Sequence, residues 1–190
     1  MLKIVDLSKA YRLLNHGPTI LVSSSFNGKQ NIMAAAWNMP LDFDPPKICV
    51  VIDKKTYTRE LIEASGSFAI NVPCVAQADL VTKLGSYSGR ELQGADKFVE
   101  NQLQTFAAKH IAAPLLTGCV AWLECKIIPE PHNQNTYDLF IAEVVAAYAD
   151  ERVFSDGRWH FEGHDALRTI HHVASGAFFA AGKSIQAGQN

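Results

Sequence analysis

The chain has 190 residues, a formal net charge of -2 and 48% hydrophobic residues, a composition typical of a soluble globular domain with a sizeable core. A sequence pI near 6.4 without a basic stripe argues against nucleic acid as a partner. The sequence has no stretch of about 20 apolar residues to span a bilayer, and residues 1–6 lack the apolar core of a signal peptide. We therefore expect a cytoplasmic protein with no membrane partner.

The first predicted elements are a short helix and a hairpin. Apolar positions spaced through residues 3–14 predict the helix. Thr19–Ser25 is a predicted strand, Phe26–Gly28 a hairpin turn, and Gln30–Asn38 the returning strand. Its three alanines, 34–36, are weak strand formers. Their small side chains suit either close approach of a flat ligand or tight packing.

The middle of the chain combines a buried strand with a capped helix. The apolar, β-branched run Lys47–Asp53 predicts the strand, and Glu60–Ala64 is good helix-forming sequence. Thr56 or Thr58 is placed to cap the helix N-terminus. Residues 54–59 carry two threonines, two lysines and an arginine, which at a helix N-terminus favour a phosphate site. A capped helix with a solvated basic turn is the alternative.

The second half predicts further strands with helices inserted between them. Residues 118–128 alternate, with Trp122, Glu124 and Lys126 on the face opposite the apolar one, which predicts a half-buried antiparallel strand. Strands and helices in this order predict a mainly β fold, a closed or split antiparallel barrel with peripheral helices. The other predicted elements are strand Ser67–Val72, helix Val75–Leu84, loop Gly85–Gly89, mixed loop and helix 90–110, turn Pro129–Asn135 and strand Tyr137–Ala149.

The tail is rich in histidine but predicts no metal site. Its histidines are His160, His164, His171 and His172. Their spacing matches no common zinc signature, and no cysteine pair or paired carboxylate completes a ligand set. The four cysteines form no Cys-x-x-Cys pair and are predicted to be reduced. Gly176–Ala180 is either a last apolar segment or a flap.

The sequence contains no constellation for catalysis by side chains alone. It lacks a Gly-x-Ser-x-Gly elbow, a Walker loop and a Gly-x-Gly-x-x-Gly fingerprint. This pattern favours an enzyme whose reactive atoms belong to a cofactor, while the protein supplies orientation and electrostatics.

Several short elements in a fixed order carry a family resemblance: Asn31–Trp37, Asp44–Pro46, Phe68–Val72, Ser88–Arg90, Asp96–Phe98 and Leu123–Cys125. In this order and at this spacing the chain resembles the flavin reductase-like family of FMN-binding split β-barrels, and within it the flavoredoxin-like branch. The resemblance covers residues 19–150, and we expect a single domain over residues 1–190.

The resemblance implies FMN as cofactor and NADH or NADPH as electron donor. It places the phosphate at residues 54–59, the ring and ribityl chain along residues 31–37, and the pyrimidine edge at residues 71–72. Lys97 would approach either the phosphate or the polar edge of the ring, where it would stabilise developing charge. The cofactor-binding residues so implied are Asn31, Met33, Ala34, Ala35, Trp37, Asp53, Lys54, Thr56, Thr58, Arg59, Asn71, Val72 and Lys97. This chain has Ala34 and Ala36 where much of the family carries hydroxyl residues, which bears on the affinity for FMN.

Three functions remain open from the sequence. They are an FMN-dependent NAD(P)H oxidoreductase, a flavoredoxin-like electron carrier without nicotinamide activity, and a small-molecule-binding barrel without redox chemistry. The resemblance also implies a homodimer. Trp122, Phe178 and Phe179 are predicted to supply exposed apolar surface for that contact.

Overall fold

The computed structural model describes residues 1–93 and 96–188. It confirms the mainly β architecture. The strands are β1 Leu2–Ile4, β2 Ile20–Phe26, β3 Lys29–Ala35, β4 Asn38–Phe43, β5 Pro46–Val51, β6 Ser67–Val72, β7 Thr105–Phe106, β8 Leu115–Leu116, β9 Ala121–Ile128, β10 Leu139–Asp150, β11 Phe154–Ser155, β12 Arg158–Trp159, β13 Ile170–Ala174 and β14 Ala177–Ala180. The α-helices are α1 Leu7–Ala10, α2 Tyr57–Ser65, α3 Ala78–Gly85, α4 Lys97–Glu100 and α5 Pro131–Tyr137. Single 3-10 turns lie at Tyr11–Leu13, Val75–Gln77, Gly89–Glu91 and Asp165–Leu167.

One antiparallel sheet organises the chain, in the order β3-β2-β6-β9-β10-β5-β4, with β1 also paired to β10. Within the described residues no ladder joins β3 to β4, so the barrel is split, as predicted. The free edge of β3 is instead flanked by α2, α3 and α4. The region predicted as mixed loop and helix, 90–110, includes Gly94 and Ala95, which lie outside the described residues.

The β2–β3 hairpin fixes the register of this edge. Asn27 and Gly28 have φ values of 48° and 76°, a pair of left-handed residues that suits a tight two-residue turn. Ile20 pairs with Ala35 at the open end of the hairpin. The strand ends at Ala35, three residues before the predicted boundary at Asn38.

The strand–helix unit that follows β4 forms as predicted. Thr56 is the N-cap of α2, where its hydroxyl accepts a hydrogen bond from the Arg59 backbone N–H at 3.3 Å. Gly66 ends the helix in the left-handed conformation at φ 69°, which glycine adopts without steric cost. Leu61 and Ile62 are buried beneath the helix.

Both faces of the sheet are covered, because alternate residues of the central strands enter two separate apolar clusters. In β9, Leu123 and Cys125 belong to one cluster and Trp122 to the other. The prediction that one face of β9 is exposed is therefore wrong for residues 121–125, since Trp122 and Glu124 are buried as well. The chain around β7 and β8 covers that face: Phe106 packs edge-on against Trp122, and the indole N–H donates to Leu116 O.

Glu124 shows how a carboxylate is tolerated inside this face. One oxygen accepts from the Lys109 N–H at 2.9 Å and from the Tyr148 hydroxyl at 2.8 Å, and the other from the His110 N–H at 2.6 Å. Burial and this hydrogen bond raise the pKa of Tyr148 to about 12. Three donors thus replace the water that the carboxylate loses, and the two from Lys109 and His110 fasten the covering loop to the sheet.

Two further expectations for the C-terminal half have different outcomes. The turn predicted at 129–135 is wrong, because Pro131–Tyr137 forms helix α5, with proline in its first turn, where no intrahelical N–H is required. Farther along, Asp156 and Gly157 adopt positive φ values in the tight turn that joins β11 to β12. All four cysteines are free and buried. Over the described ranges, none of the helices has the length and hydropathy needed to cross a membrane.

Replacement of Glu124 tests the loop anchor. Glu124→Gln substitutes an N–H donor for one acceptor oxygen that faces backbone N–H groups, so we expect a loss of unfolding free energy of about 1–3 kcal/mol. Urea denaturation measures it. Glu143→Gln, an exposed site on β10, is the matched control and should change stability by less than about 0.5 kcal/mol. Equal urea midpoints for the two variants would contradict the role of Glu124 in anchoring the loop.

Candidate functional site

A groove runs along the free edge of β3 and is divided into clefts that share lining residues. The polar cleft has a volume of about 440 Å³. The apolar cleft, about 430 Å³, adjoins it through the shared residues Ala34, Gly85 and Ser86. The polar cleft is lined by Asn31, Met33, Ala34, Asp53, Lys55, Thr56, Tyr57, Thr58, Leu84, Gly85, Ser86, Tyr87, Ser88, Gly89, Glu91 and Lys97.

Asn31 presents an unused acceptor to the polar cleft. Its side chain is 3% exposed, and Nδ2 donates to the Thr58 hydroxyl at 2.8 Å. Its Oδ1 is buried and has no hydrogen-bond partner. Gly89 approaches so closely that a β-carbon there would collide with this oxygen. Since buried polar atoms are ordinarily satisfied, the geometry fits a ligand that brings a donor to Asn31.

Lys97 supplies a buried cation to the same cleft. It is 2% exposed, its Nζ donates to Leu84 O at 2.6 Å, and the ammonium lies 4.5 Å from the ring centroid of Tyr87. Burial lowers the pKa of Lys97 to about 8, against the opposing charge of Glu91. Within the described part of the chain no carboxylate forms an ion pair with it. A charge held in this way is stabilised by an incoming anion.

The apolar cleft differs in chemistry. Its floor consists of Ala34 and Ala35 of β3 and of Ala36, which follows the strand. Its walls are α3 and the β13–β14 hairpin. His172 and Phe178 meet edge-on at 5.5 Å between ring centroids on the hairpin wall. Its lining residues are Thr19, Ala34, Ala35, Ala36, Val81, Thr82, Gly85, Ser86, His172, Ser175, Gly176 and Phe178. With no acid, lysine or arginine among them, this cleft suits a neutral planar group.

The structure brings together a majority of the site residues predicted from sequence. Asn31, Met33, Ala34, Asp53, Thr56, Thr58 and Lys97 line the polar cleft, and Ala35 lines the apolar cleft. It does not bring Trp37, Lys54, Arg59, Asn71 or Val72 to either cleft.

Arg59 is buried and bonded elsewhere. Its guanidinium donates to Asp138 Oδ1 at 2.5 Å, Glu63 Oε1 at 2.7 Å and Gln134 O at 2.8 Å. It ties α2 to the segment that precedes β10. The predicted phosphate contact by this side chain is therefore wrong, because its donors are used in a packing network.

Asn71 and Val72 lie in the interior of the sheet, and Asn71 is fully hydrogen-bonded there. Its Nδ2 donates to Leu21 O and Ser23 Oγ, and its Oδ1 accepts from the Leu116 N–H at 2.7 Å. The predicted backbone contact with the pyrimidine edge is not formed at either cleft, since Asn71 pairs with Leu21 and Trp122 in the sheet and Val72 O accepts from the Val120 N–H at 2.8 Å. Trp37 is 75% exposed and Lys54 is exposed, so both point to solvent rather than into the clefts.

Sequence reasoning missed the wall opposite β3. The loop predicted at Gly85–Gly89 contributes residues to both clefts, and Lys55, Tyr57 and Glu91 line the polar one. The two loop glycines were the available signal, since glycine permits the close approach that Gly89 makes to Asn31. Among the described residues no group of three or more His, Cys, Asp or Glu is placed to hold a metal.

Comparison with known proteins gives one consistent result. A model of the flavin reductase like domain matches residues 11–167. The uncharacterized protein YddH of Escherichia coli is 44% identical over 187 residues, covering 97% of each chain.

Solved structures agree with that match. An FMN-binding domain of a flavin reductases-like enzyme from Shewanella baltica superposes with a TM-score of 0.94 at 50% identity, covering 98% of this chain and 97% of the other. Flavoredoxin of Desulfovibrio vulgaris (Miyazaki F) gives a TM-score of 0.77 at 27% identity, with 91% of each chain covered.

Proposed function

Because the chain belongs to the flavin reductase-like family, we propose that it binds FMN in the groove along β3 and works as an NAD(P)H-dependent oxidoreductase. We propose in addition that residues 1–190 form one domain and that the protein is cytoplasmic, as its composition suggests. The Shewanella baltica structure, described as FMN-binding, supports the choice of cofactor.

The observation that carries the proposal is the change of chemistry along the groove. A buried cation, Lys97, and an unused acceptor on Asn31 lie in the polar cleft, whereas the neighbouring cleft is neutral and floored by alanines. FMN has the same order of parts: a phosphate, a hydroxylated ribityl chain and a flat ring. Thr58 and Lys97 would hold the phosphate end and Asn31 a ribityl hydroxyl, whereas the hydroxyl of Thr56 already donates to Asp53 O at 2.8 Å. Ala34 and Ala35 would admit the ring.

Bound FMN would supply the hydride chemistry, so the protein's work is to bind, orient and shield it. The backbone N–H groups at the start of α2 and the Lys97 ammonium favour negative charge. The hairpin with His172 and Phe178 shields the apolar cleft from water on one side. No side chain need act as a nucleophile.

The second candidate is an electron carrier without nicotinamide activity. It is favoured by the likeness to flavoredoxin and by the lining of the apolar cleft, which carries no lysine or arginine to meet the phosphates of a dinucleotide.

Anaerobic mixing of the FMN-loaded protein with NADH and with NADPH separates the two. We expect the visible absorbance of the oxidised flavin to bleach with one or both donors, because hydride transfer reduces the ring. An unbleached protein that dithionite still reduces would be a carrier. A protein that takes up no FMN would refute both proposals.

Replacement of Lys97 tests the phosphate end of the groove. A charge-assisted hydrogen bond is worth about 1.5–3 kcal/mol, so Lys97→Met should weaken FMN about tenfold or more and leave riboflavin nearly unchanged. Fluorescence quenching measures both affinities. Lys83→Met, on the exposed side of α3, is the control. An equal loss of affinity for riboflavin would indicate that Lys97 contacts the ring instead. The variant should then also lower the reduction potential of the bound flavin.

The same residue predicts a pH dependence. FMN is bound by the charged ammonium, and the pKa of Lys97 is about 8 in the free protein. Affinity should therefore be full below that pH, down to the second phosphate pKa of about 6, and decline as pH rises above 8. Lys97→Met should abolish this decline.

We also propose a homodimer, and the exposed face of β4 supports it. Trp122 is buried, so the predicted contribution of that residue is wrong. Trp37, Met39, Leu41 and Phe43 alternate along the strand and its start, exposed by 75%, 53%, 49% and 63%. A stripe of this kind on an edge strand needs cover, and a second copy provides it.

Sedimentation tests the dimer. At micromolar concentration we expect about twice the 20.8 kDa chain mass. Leu41→Glu places a charge in the stripe and should yield a monomer, whereas Gln104→Glu, at an exposed site elsewhere, should remain a dimer. A wild-type monomer would refute the proposal.

A further inference from the structure

Of the described residues, His172 alone brings an ionisable side chain to the apolar cleft. Its neighbour His171 turns the other way: Nδ1 lies 2.9 Å from Gly17 O, and the ring packs edge-on against His16. His172 pairs with Phe178 across the hairpin, and both side chains line the cleft. The alternation along β13 thus directs one histidine to the body of the protein and the next to the cleft.

Most other polar side chains of the apolar cleft already have partners in the protein. The hydroxyls of Thr82 and Ser86 donate to backbone carbonyls of α3 at 3.1 and 2.8 Å. Thr19 is 3% exposed, and its hydroxyl accepts from the His172 N–H at 2.8 Å. Within the described chain no hydrogen bond uses the ring nitrogens of His172 or the hydroxyl of Ser175, which lies in the exposed turn of the hairpin. His172 is therefore the main side-chain donor that the cleft offers to a ligand.

This lining defines the chemistry of a ligand. A cleft of about 430 Å³ is large enough for a small molecule, and its alanine floor and the Phe178 ring suit a flat apolar one. A carboxylate or phosphate would find no lysine or arginine there. A carbonyl oxygen accepts a hydrogen bond without carrying a charge, and an imidazole always has at least one N–H to donate.

We propose that the apolar cleft binds a flat, neutral, conjugated carbonyl compound of the quinone type as the electron acceptor, and that His172 donates a hydrogen bond to its carbonyl oxygen. The inference rests on the proposed function, which lays the flavin ring on Ala34 and Ala35. The hairpin wall with His172 and Phe178 is then left for a second planar molecule.

The reaction balances with groups that the proposal supplies. Reduction of a quinone to a hydroquinone takes one hydride and one proton. The hydride carries both electrons, and an N–H bond of the reduced flavin breaks as the flavin is reoxidised. The proton comes from the protonated His172 ring, whose N–H bond breaks as the O–H bond of the hydroquinone forms. His172 is exposed, so its nitrogen regains a proton from solvent.

The binding arm of the test uses acetophenone and α-methylstyrene, which have the same shape and differ by a carbonyl oxygen in place of a methylene group. Each is titrated into the oxidised, FMN-loaded protein, and the change in flavin absorbance reports binding. His172→Phe keeps a flat ring on the wall and removes the donor. Acetophenone should then bind about two- to tenfold more weakly, the worth of one hydrogen bond, whereas the affinity for α-methylstyrene should not fall.

His132→Phe is the matched control. His132 is exposed, packs edge-on against Tyr137 and lies outside both clefts. This variant makes the same substitution at a distance from the site, so it should change the affinity for neither compound.

The redox arm mixes the dithionite-reduced, FMN-loaded protein with menadione in the absence of oxygen and follows reoxidation of the flavin. His172→Phe should slow this step about tenfold or more, because a positioned proton donor contributes at least that much. Reduction of the flavin by NADH or NADPH should keep its rate. Dithionite makes the arm independent of nicotinamide activity.

Four outcomes would overturn the proposal. His172→Phe could weaken both aromatic compounds equally or neither of them. Ser175→Ala could cause the loss of acetophenone affinity in place of His172→Phe, which would assign the carbonyl to Ser175. A slower reaction with NADH or NADPH and an unchanged one with menadione would place His172 beside the electron donor. A reduced wild type that menadione does not reoxidise would exclude this class of acceptor. Failure of FMN itself to bind would instead refute the proposed function.

Discussion

The position of the site depends on one hydrogen bond at the free edge of the sheet. Asn31 on β3 donates to Thr58 in the first turn of α2, and both side chains are buried. This bond holds a helix N-terminus against the sheet edge, with Gly89 closing over it from the opposite loop. The polar cleft exists because these three pieces meet while the edge of β3 remains unpaired. An edge of this kind ordinarily invites aggregation; here helices flank it and leave a groove.

Two buried ionisable side chains show the difference between a structural group and a binding group. Glu124 has both oxygens saturated by three protein donors, so its charge serves the fold. Lys97 has one carbonyl acceptor and a ring face, and burial lowers its pKa because these partners compensate the charge only in part. Burial removes the hydration of both groups. Three protein donors offset that loss for the carboxylate, whereas the ammonium remains receptive to an anion.

The chemistry of the groove changes along its length. The polar cleft is charged and hydrogen-bonding, whereas the adjoining apolar cleft is neutral and floored by alanines. The alanines at 34–36 offer no side-chain hydrogen bond, so the polar side chains of these two clefts lie mainly around Asn31, Lys97 and the N-terminus of α2.

The family, the hairpin turn at Asn27–Gly28, a threonine cap on α2 and the order of the main strands could be predicted from the sequence, because each depends on short motifs or on residues close together in the chain. Eight of the thirteen predicted cofactor residues line the two clefts. The positions of Arg59, Asn71 and Glu124 depend instead on tertiary contacts. Arg59 is bonded to Asp138, 79 positions away, and Asn71 to Leu116, 45 positions away. Burial of Glu124 likewise depends on a loop that no local pattern places over β9. A buried side chain with several donors or acceptors is stable only where other groups satisfy its hydrogen bonds. Those groups can lie far away in the chain, and hydrophobic periodicity gives no information about them.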